Sequence, residues 1–250
     1  MRNVETWAPS KFVFKRGRLR ASRNPKEVFA GSRLMCDLVA SSYQTHVKSH
    51  CHGRLLDLGC GKVPFYSLYR EYVSETICVD WSKSLHGNDH LDAECDLTKE
   101  LPFADRSFDT ILLSDVLEHI PTPERLWHEM ARLLKPGGKL LLNVPFFYWL
   151  HEEPNDFYRY TKHALRCFAE ATGFEVILIK EVGGAPEIVV DIISKFISLR
   201  LGPIGKWTAG VVQTVCRELV ASRLGKRVSE VTAKSFPIGY FMIARRLGDL

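Results

Sequence analysis

Residues 55–61 read Leu-Leu-Asp-Leu-Gly-Cys-Gly, an apolar run carrying one carboxylate that ends in a turn too tight for side chains. Such a run suits a strand buried on both faces of a parallel sheet, and its glycines allow backbone with φ > 0 to approach a ligand. Open α/β sheets bind ligands beyond the carboxyl ends of their strands, so this turn predicts where the site lies. The dinucleotide fingerprint needs a third glycine where Pro64 stands, which disfavours a pyrophosphate and with it an NAD-binding oxidoreductase. A nucleoside without phosphates fits the turn better.

From the turn onward, short apolar runs alternate with helical stretches. Strands are predicted over Thr76–Asp80, His90–Leu97, Thr110–Ser114, Lys139–Val144 and Phe174–Val182. Asp80 ends its strand 19 residues after Gly61, near the distance at which a strand-end carboxylate meets ribose hydroxyls. One helix is predicted after Thr122 with Pro123 at its first position, stopping at Lys135-Pro136-Gly137-Gly138, and another from Thr161 to Gly173. Pro237–Arg245 reads as the last strand. The fold class is α/β: a doubly wound, Rossmann-like, mostly parallel seven-stranded sheet with an antiparallel edge strand.

One domain over 1–250 accommodates all of this, and 46% apolar residues supply its core. Residues 1–26 form a basic arm with eight Lys/Arg against Glu5 alone, and 27–48 an N-terminal helix capped by Asn24 with Pro25. The core spans 54–182, a helical insertion 186–235, and the final strand 236–246. No secretory leader or run of about 18 apolar residues occurs, which predicts a cytoplasmic protein. Seven scattered cysteines suit reduced thiols. No metal is expected: His46 and His50-Cys51-His52 lack ligand spacing, because adjacent side chains point apart.

The order of motifs resembles the class I S-adenosylmethionine-dependent methyltransferases, in particular the type-11-like branch that includes bacterial glycan-cluster enzymes. The likeness covers 54–182. It rests on Leu56-Asp57-Leu58-Gly59-Cys60-Gly61, Asp80, Asp96-Leu97, Leu101-Pro102-Phe103 with Ser107-Phe108-Asp109, Val116-Leu117-Glu118-His119, and Leu134-Lys135-Pro136-Gly137-Gly138. It implies S-adenosyl-L-methionine as cofactor, with Gly59 and Gly61 at the methionine part, Asp80 on the ribose, Asp96 and Leu97 at the adenine, and Ser114 near the methionine amine. Carboxylates at strand ends, Asp57 and Asp115 among them, suit a sulfonium cation better than a phosphate. Pro64 departs from the many relatives that have glycine or a small residue there.

Past the fifth strand, seven of the fifteen residues from 146 to 160 are aromatic. An aromatic wall carrying His151, Asp156 and Arg159 can stack a sugar or a ring and orient a hydroxyl. The segment looks like the H-x-x-P-x-D-[F/Y]-x-R-[F/Y]-[S/T] stretch of glycan-cluster methyltransferases. His151 is the candidate general base, with Asp156 or Arg159 orienting it or the acceptor; an Asp156–Arg159 pair serving only structure is the other reading. His119 is a lesser candidate. The expected acceptor is a small molecule or glycan, which Arg16, Arg18, Arg20 and Arg23 suit if it bears phosphate. Nucleic acid is disfavoured by the lack of a [D/N]-P-P-[F/Y] sequence after the fourth strand. An RNA methyltransferase using the arm and a non-catalytic scaffold stay as alternatives, as does a flexible solvated arm. The apolar stripes of 186–235 leave three readings: internal packing, a dimer contact, or a peripheral membrane surface. The oligomeric state is left open.

Overall fold

A computed structural model describes residues 1–82, 87 and 89–248. The amino-terminal segment is an ordered hairpin, not a loose arm: β1 (Phe12–Lys15) pairs antiparallel with β2 (Arg18–Ala21). Phe12 and Leu19 from its inner face join the core. Two amides of β2 bond to α1 (Arg33–His50): Leu19 N–H donates to Gln44 at 2.9 Å and Ala21 N–H to Asp37 at 2.8 Å. Helix α1 starts later than the Asn24-Pro25 signal predicts. The Asn24 side chain accepts from Lys26 N–H and its carbonyl from Val28 N–H, which closes a turn, and the chain is then extended at Phe29.

The turn of Gly59 follows β3 (Gly53–Leu58), and a short helix α2 (Tyr66–Tyr69) leads to β4 (Val73–Asp80). Of the predicted strand over His90–Leu97 only Ala93–Glu94 (β5) joins the sheet. The sequence then gives β6 (Phe108–Ser114), α3 (Pro123–Leu133), β7 (Leu134–Pro145), α4 (Lys162–Ala171) and β8 (Phe174–Val182). Thr161 caps α4 by accepting from Ala164 N–H at 3.2 Å, whereas Thr122 occupies the cap of α3 without a side-chain bond. Three helices fill the insertion, α5 (Ala185–Arg200), α6 (Gly202–Ala221) and α7 (Arg223–Ala233), of which the sequence announced two; β9 (Gly239–Arg246) follows.

The seven-stranded sheet has the order β5-β4-β3-β6-β7-β9-β8, mostly parallel. The last strand is antiparallel as expected but not at the edge: β9 pairs with both β7 and β8 and leaves β8 at the rim. Composition explains the placement. Gly239–Ala244 is buried throughout, with Tyr240 and Met242 in one core cluster and Phe241 and Ile243 in the other, while Glu175, Lys180 and Glu181 on β8 suit an edge. The chain reverses direction across the sheet at β3, between β4 and β6, so the topological switch point falls at the Gly59 turn.

If Asp37 holds the hairpin, Asp37→Ala should raise amide exchange at residues 12–21 while β3, β6 and β7 keep their protection. Unchanged exchange in the hairpin would leave Phe12 and Leu19 as its anchors instead.

Candidate active site

Two cavities open at the carboxyl ends of β3, β4 and β6, one on each side of the glycine turn. They share Gly59, Asp115 and Glu152. Gly59 has φ +68°, and a β-carbon on it would meet the Val116 side chain at 2.5 Å, so only glycine fits. Its N–H and that of Cys60 bond to the Val79 carbonyl, while Gly61 N–H donates to the Asp80 carboxylate at 2.9 Å. Asp80 also accepts from Trp81 N–H at 2.8 Å, which fixes the carboxylate at the end of β4.

The first cavity, about 480 Å³, has Gly59, Asp80, Asp96 and Leu97 on its wall, so the structure brings these predicted residues together. Trp81, which the sequence reading passed over although it adjoins the strand-end acid, supplies an aromatic face there. Asp96 is held below the usual carboxylate range by the hydroxyl and N–H of Thr98, the hydroxyl at 2.6 Å. Asp115, Glu152 and Glu153 add further acids, and among the described residues no lysine or arginine lines this cavity. An acidic wall of this kind attracts a cation and repels phosphate.

The second cavity, about 370 Å³, runs between the turn and the segment after β7, and Gly61 and Ser114 line it with Glu118, Tyr148, Trp149 and His151. Ser114 Oγ is buried on this wall beside the Tyr43 hydroxyl. A turn that a β-carbon would fill and an acidic wall together fit a nucleoside with a cationic, phosphate-free tail. Asp57, by contrast, lies behind the turn, 2% exposed, where it accepts from the Tyr69 hydroxyl at 3.0 Å. It lines neither cavity.

Asp115 adopts φ +55°, an uncommon conformation for a residue with a β-carbon. Asn143 holds it, donating from Nδ2 to its carboxylate at 2.5 Å and accepting its N–H at 2.9 Å on the carbonyl. Lys11 reaches the other carboxylate oxygen at 3.4 Å. Burial is the largest influence and opposes the charge on Lys11, but Asp115, Cys36 and Tyr148 together prevail and raise the lysine above its ordinary value. Lys11 is thus the cation that the amino-terminal segment brings to the cavity. Arg16, Arg18, Arg20 and Arg23 line neither cavity, and Arg20 pairs with Asp37 at 3.4 Å.

His151, Asp156 and Arg159 form one connected unit. Arg159 clasps Asp156 with bonds of 2.6 and 2.7 Å and donates to the Trp149 carbonyl at 2.9 Å. Asp156 accepts the His151 N–H at 2.9 Å and lies 3.2 Å from its Nδ1. Asp156 is accordingly held down at about 2: burial opposes its ionisation, but the Arg159 and His151 bonds prevail. Burial, then the neighbouring His119, lowers His151 below the ordinary imidazole value. His151 Nδ1 donates to the Trp149 carbonyl at 3.3 Å, and with its proton there the neutral ring keeps its lone pair on Nε2.

Nε2 of His151 and Nε2 of His119 each lie 3.8 Å from Glu118 Oε1. The two rings meet edge to face at 4.8 Å, and His119 Nδ1 donates to the Asn155 carbonyl at 2.9 Å. Glu118 is fully buried with both carboxyl oxygens unpartnered, and burial, with Asp115 second, raises it far above its ordinary value. Burial thus favours its neutral form. Residues 46–52 show no such convergence: His46 stacks on Phe241 and Cys51 is in the core, and all seven cysteines are free thiols.

Residues 56–142 match the family model described as a methyltransferase domain. That match, the sheet order and the glycine turn make residues 56–142 similar to a class I methyltransferase domain of the type-11 kind, and the seven-stranded sheet has that Rossmann-like fold. The chain is 34% identical over 138 residues to an uncharacterized protein of Methanocaldococcus jannaschii, covering 54% of this chain and 60% of that one. It is 33% identical over 119 residues to an uncharacterized methyltransferase of a Mycobacterium species, covering 45% of this chain and 46% of the relative. The chain therefore spans about half of the curated relatives it matches. Among solved structures, an S-adenosylmethionine-dependent methyltransferase from Archaeoglobus fulgidus shares the fold at TM-score 0.54 and 20% identity, over 87% of this chain and 96% of that one. The phosphoethanolamine N-methyltransferase 2 of Haemonchus contortus, solved with phosphomonomethylethanolamine and S-adenosylhomocysteine, does so at 0.53 and 17%, over 90% and 59%.

Burial, then the charge of Asp80, raises the Asp57 carboxyl to about 7 even though the Tyr69 bond opposes the shift. The ordinary value is about 3.9, so the folded chain binds this proton more tightly than the unfolded one does. The stability Asp57 contributes is present in acid and is lost as pH rises from about 4 through about 7. Asp57→Asn should remove that dependence, so urea unfolding should favour the variant more at about pH 7.5 than at about pH 5. A pH-independent difference would mean that Asp57 ionises as an ordinary carboxylate.

Proposed function

We propose that the chain transfers a methyl group from S-adenosyl-L-methionine to a hydroxyl of a small molecule or glycan. The observation that carries this reading is that two cavities meet at Gly59 and Asp115, with an oriented histidine on the wall of the second. In the first cavity Asp80 would hold the ribose hydroxyls, and Asp96 and Leu97 the adenine. The cofactor, when bound, supplies an electrophilic methyl group on sulfur. The remaining work is positioning, which is worth effective molarities of 10⁵ or more, roughly, in oriented systems, and removal of one proton.

Tyr148 and Trp149 form an aromatic face for the acceptor, and Phe29 stacks on Trp149 at 5.7 Å. His151 Nε2 would take the hydroxyl proton as the oxygen is methylated. The chain prepares that role by lowering the charge on the ring and turning its Nδ1–H to the Trp149 carbonyl, while Asp156, clasped by Arg159, holds the His151 backbone N–H. Glu118 in its neutral form leaves the Nε2 lone pair without a negative neighbour.

For the cofactor, Asp80→Ala should weaken S-adenosylmethionine binding by about 1.5–3 kcal/mol through lost charged hydrogen bonds, measured by calorimetry. Unchanged affinity, or tighter binding of NAD than of S-adenosylmethionine, would sink the assignment.

For the base, His151→Ala should lower kcat about 10²–10⁴-fold with cofactor affinity intact. The acid limb of the wild-type profile should lie below the ordinary imidazole value of about 6.5, activity being lost as pH falls through it, and should be absent in the variant. A second reading has its own observation: Glu118, His119 and His151 offer ligand atoms within 4.8 Å of one another. If a chelator abolishes activity and a divalent metal restores it, His151 is a ligand and not the base.

A further inference from the structure

Beyond Ile188 and Val190, which its first turns bury, helix α5 is turned inside out relative to water. Its buried side carries Asp191, Ser194, Lys195 and Ser198, while Ile192, Phe196 and Leu199 point outward. Two of these polar groups pair with each other, Lys195 bonding to Asp191 at 2.6 Å with its ammonium 3.4 Å from the centre of the Tyr148 ring, while the hydroxyls of Ser194 and Ser198 are buried without a hydrogen-bond partner. Helix α6 repeats the arrangement. Gln213 is buried, donating to the Gly31 carbonyl at 2.8 Å and accepting Leu34 N–H at 2.7 Å, while Ile204 and Trp207 are each 73% exposed. On α7, Leu224, Val228 and Val231 are exposed at helical spacing. An amphipathic helix in water shows the reverse pattern, so the environment these faces are made for is apolar.

Basic side chains accompany the apolar ones. The Arg200 guanidinium lies 6.0 Å from the centre of the exposed Phe196 ring, and Lys206, Arg223, Lys226 and Arg227 are exposed beside Trp207 and Leu224. Residues 196–234 hold seven Lys/Arg against Glu218 and Glu230, a local charge of +5. A two-fold dimer through this face would set the same patch against itself and bring the two cationic sets together. An anionic lipid surface neutralises them and receives the apolar side chains at the same time. Among the described residues no helix is long and apolar enough to cross a membrane, so the contact is peripheral.

We propose that the outer face of α5, α6 and α7 docks the protein on an anionic membrane surface, with Phe196, Ile204 and Trp207 entering the headgroup boundary. This surface stands apart from the methyl-transfer reading and needs neither cofactor nor acceptor for its test. The full chain is sedimented with phosphatidylcholine vesicles and with vesicles in which part of that lipid is replaced by phosphatidylserine, at low and high salt. Binding is expected to the anionic vesicles, weakened by salt. Ile204→Ser with Trp207→Ser, both at exposed positions, should lower the partition at least about tenfold, and Lys206→Gln with Arg223→Gln and Lys226→Gln should do so on anionic vesicles only. Circular dichroism of each variant checks the fold. Absence of vesicle binding, or equal binding to both vesicle types at both salts, overturns the proposal. So does a concentration-dependent dimer, seen by ultracentrifugation without lipid, that the Ile204 and Trp207 changes abolish while vesicle binding persists.

Discussion

The bond from Gly61 N–H to the Asp80 carboxylate is the constraint on which the site depends. It ties the end of β3 to the end of β4 across the turn, and the turn can make that approach only because Gly59 carries no β-carbon to strike Val116. The sheet reverses direction at this point, so the turn separates two cavities rather than flooring one. Moving the carboxylate would therefore disturb both the backbone that divides the cavities and the wall of the larger one.

Charge in the smaller cavity is managed by pairing and by protonation. Asp115 is balanced by Lys11 and held by Asn143, Asp156 by Arg159, and Glu118 is kept neutral by burial. The result is an imidazole that carries no charge near neutrality although carboxyl groups lie on two sides of it. Burial lowers the charged ring's stability, and the nearby His119 adds to that, while the ionised Asp156 opposes them without reversing the direction.

The parts of the fold that local chemistry determines were readable in the residues. The glycine turn, the strand-end Asp80, the Thr161 cap and the apolar runs of β3, β6 and β8 all signal themselves within a few positions. His151, Asp156 and Arg159 were legible as a set because their spacing is short, and the structure joins them directly. What depends on distant contacts was not legible. Lys11 meets Asp115 from 104 residues away, and Glu118 meets His151 from the other side of β7. Asp57 looked like a rim carboxylate from its strand-end position, yet the alternation along β3 turns it toward Tyr69. The Asn24-Pro25 signal is a sound helix start that closes only a turn, since Val28 and Phe29 are drawn to buried and half-buried places beside α1 and the second cavity. Helical periodicity located α5 but could not say which side faces inward, because the method assumes that the apolar side does.

That reversal changes what fixes the rotation of α5 about its own axis. Most helices are oriented by the fat side seeking the core, a strong but unselective pull. Here that pull holds only the first turns, through Ile188 and Val190; farther along it would turn the helix the other way, and there one ammonium is lodged between Asp191 and the rings of Tyr148 and Trp149. A buried ion pair of this kind adds little to stability over an apolar pair of equal size, but it admits one orientation. Lys195 therefore acts as a key in a slot: it couples the roll of a surface helix to the aromatic wall of the cavity, so neither can be re-angled without the other.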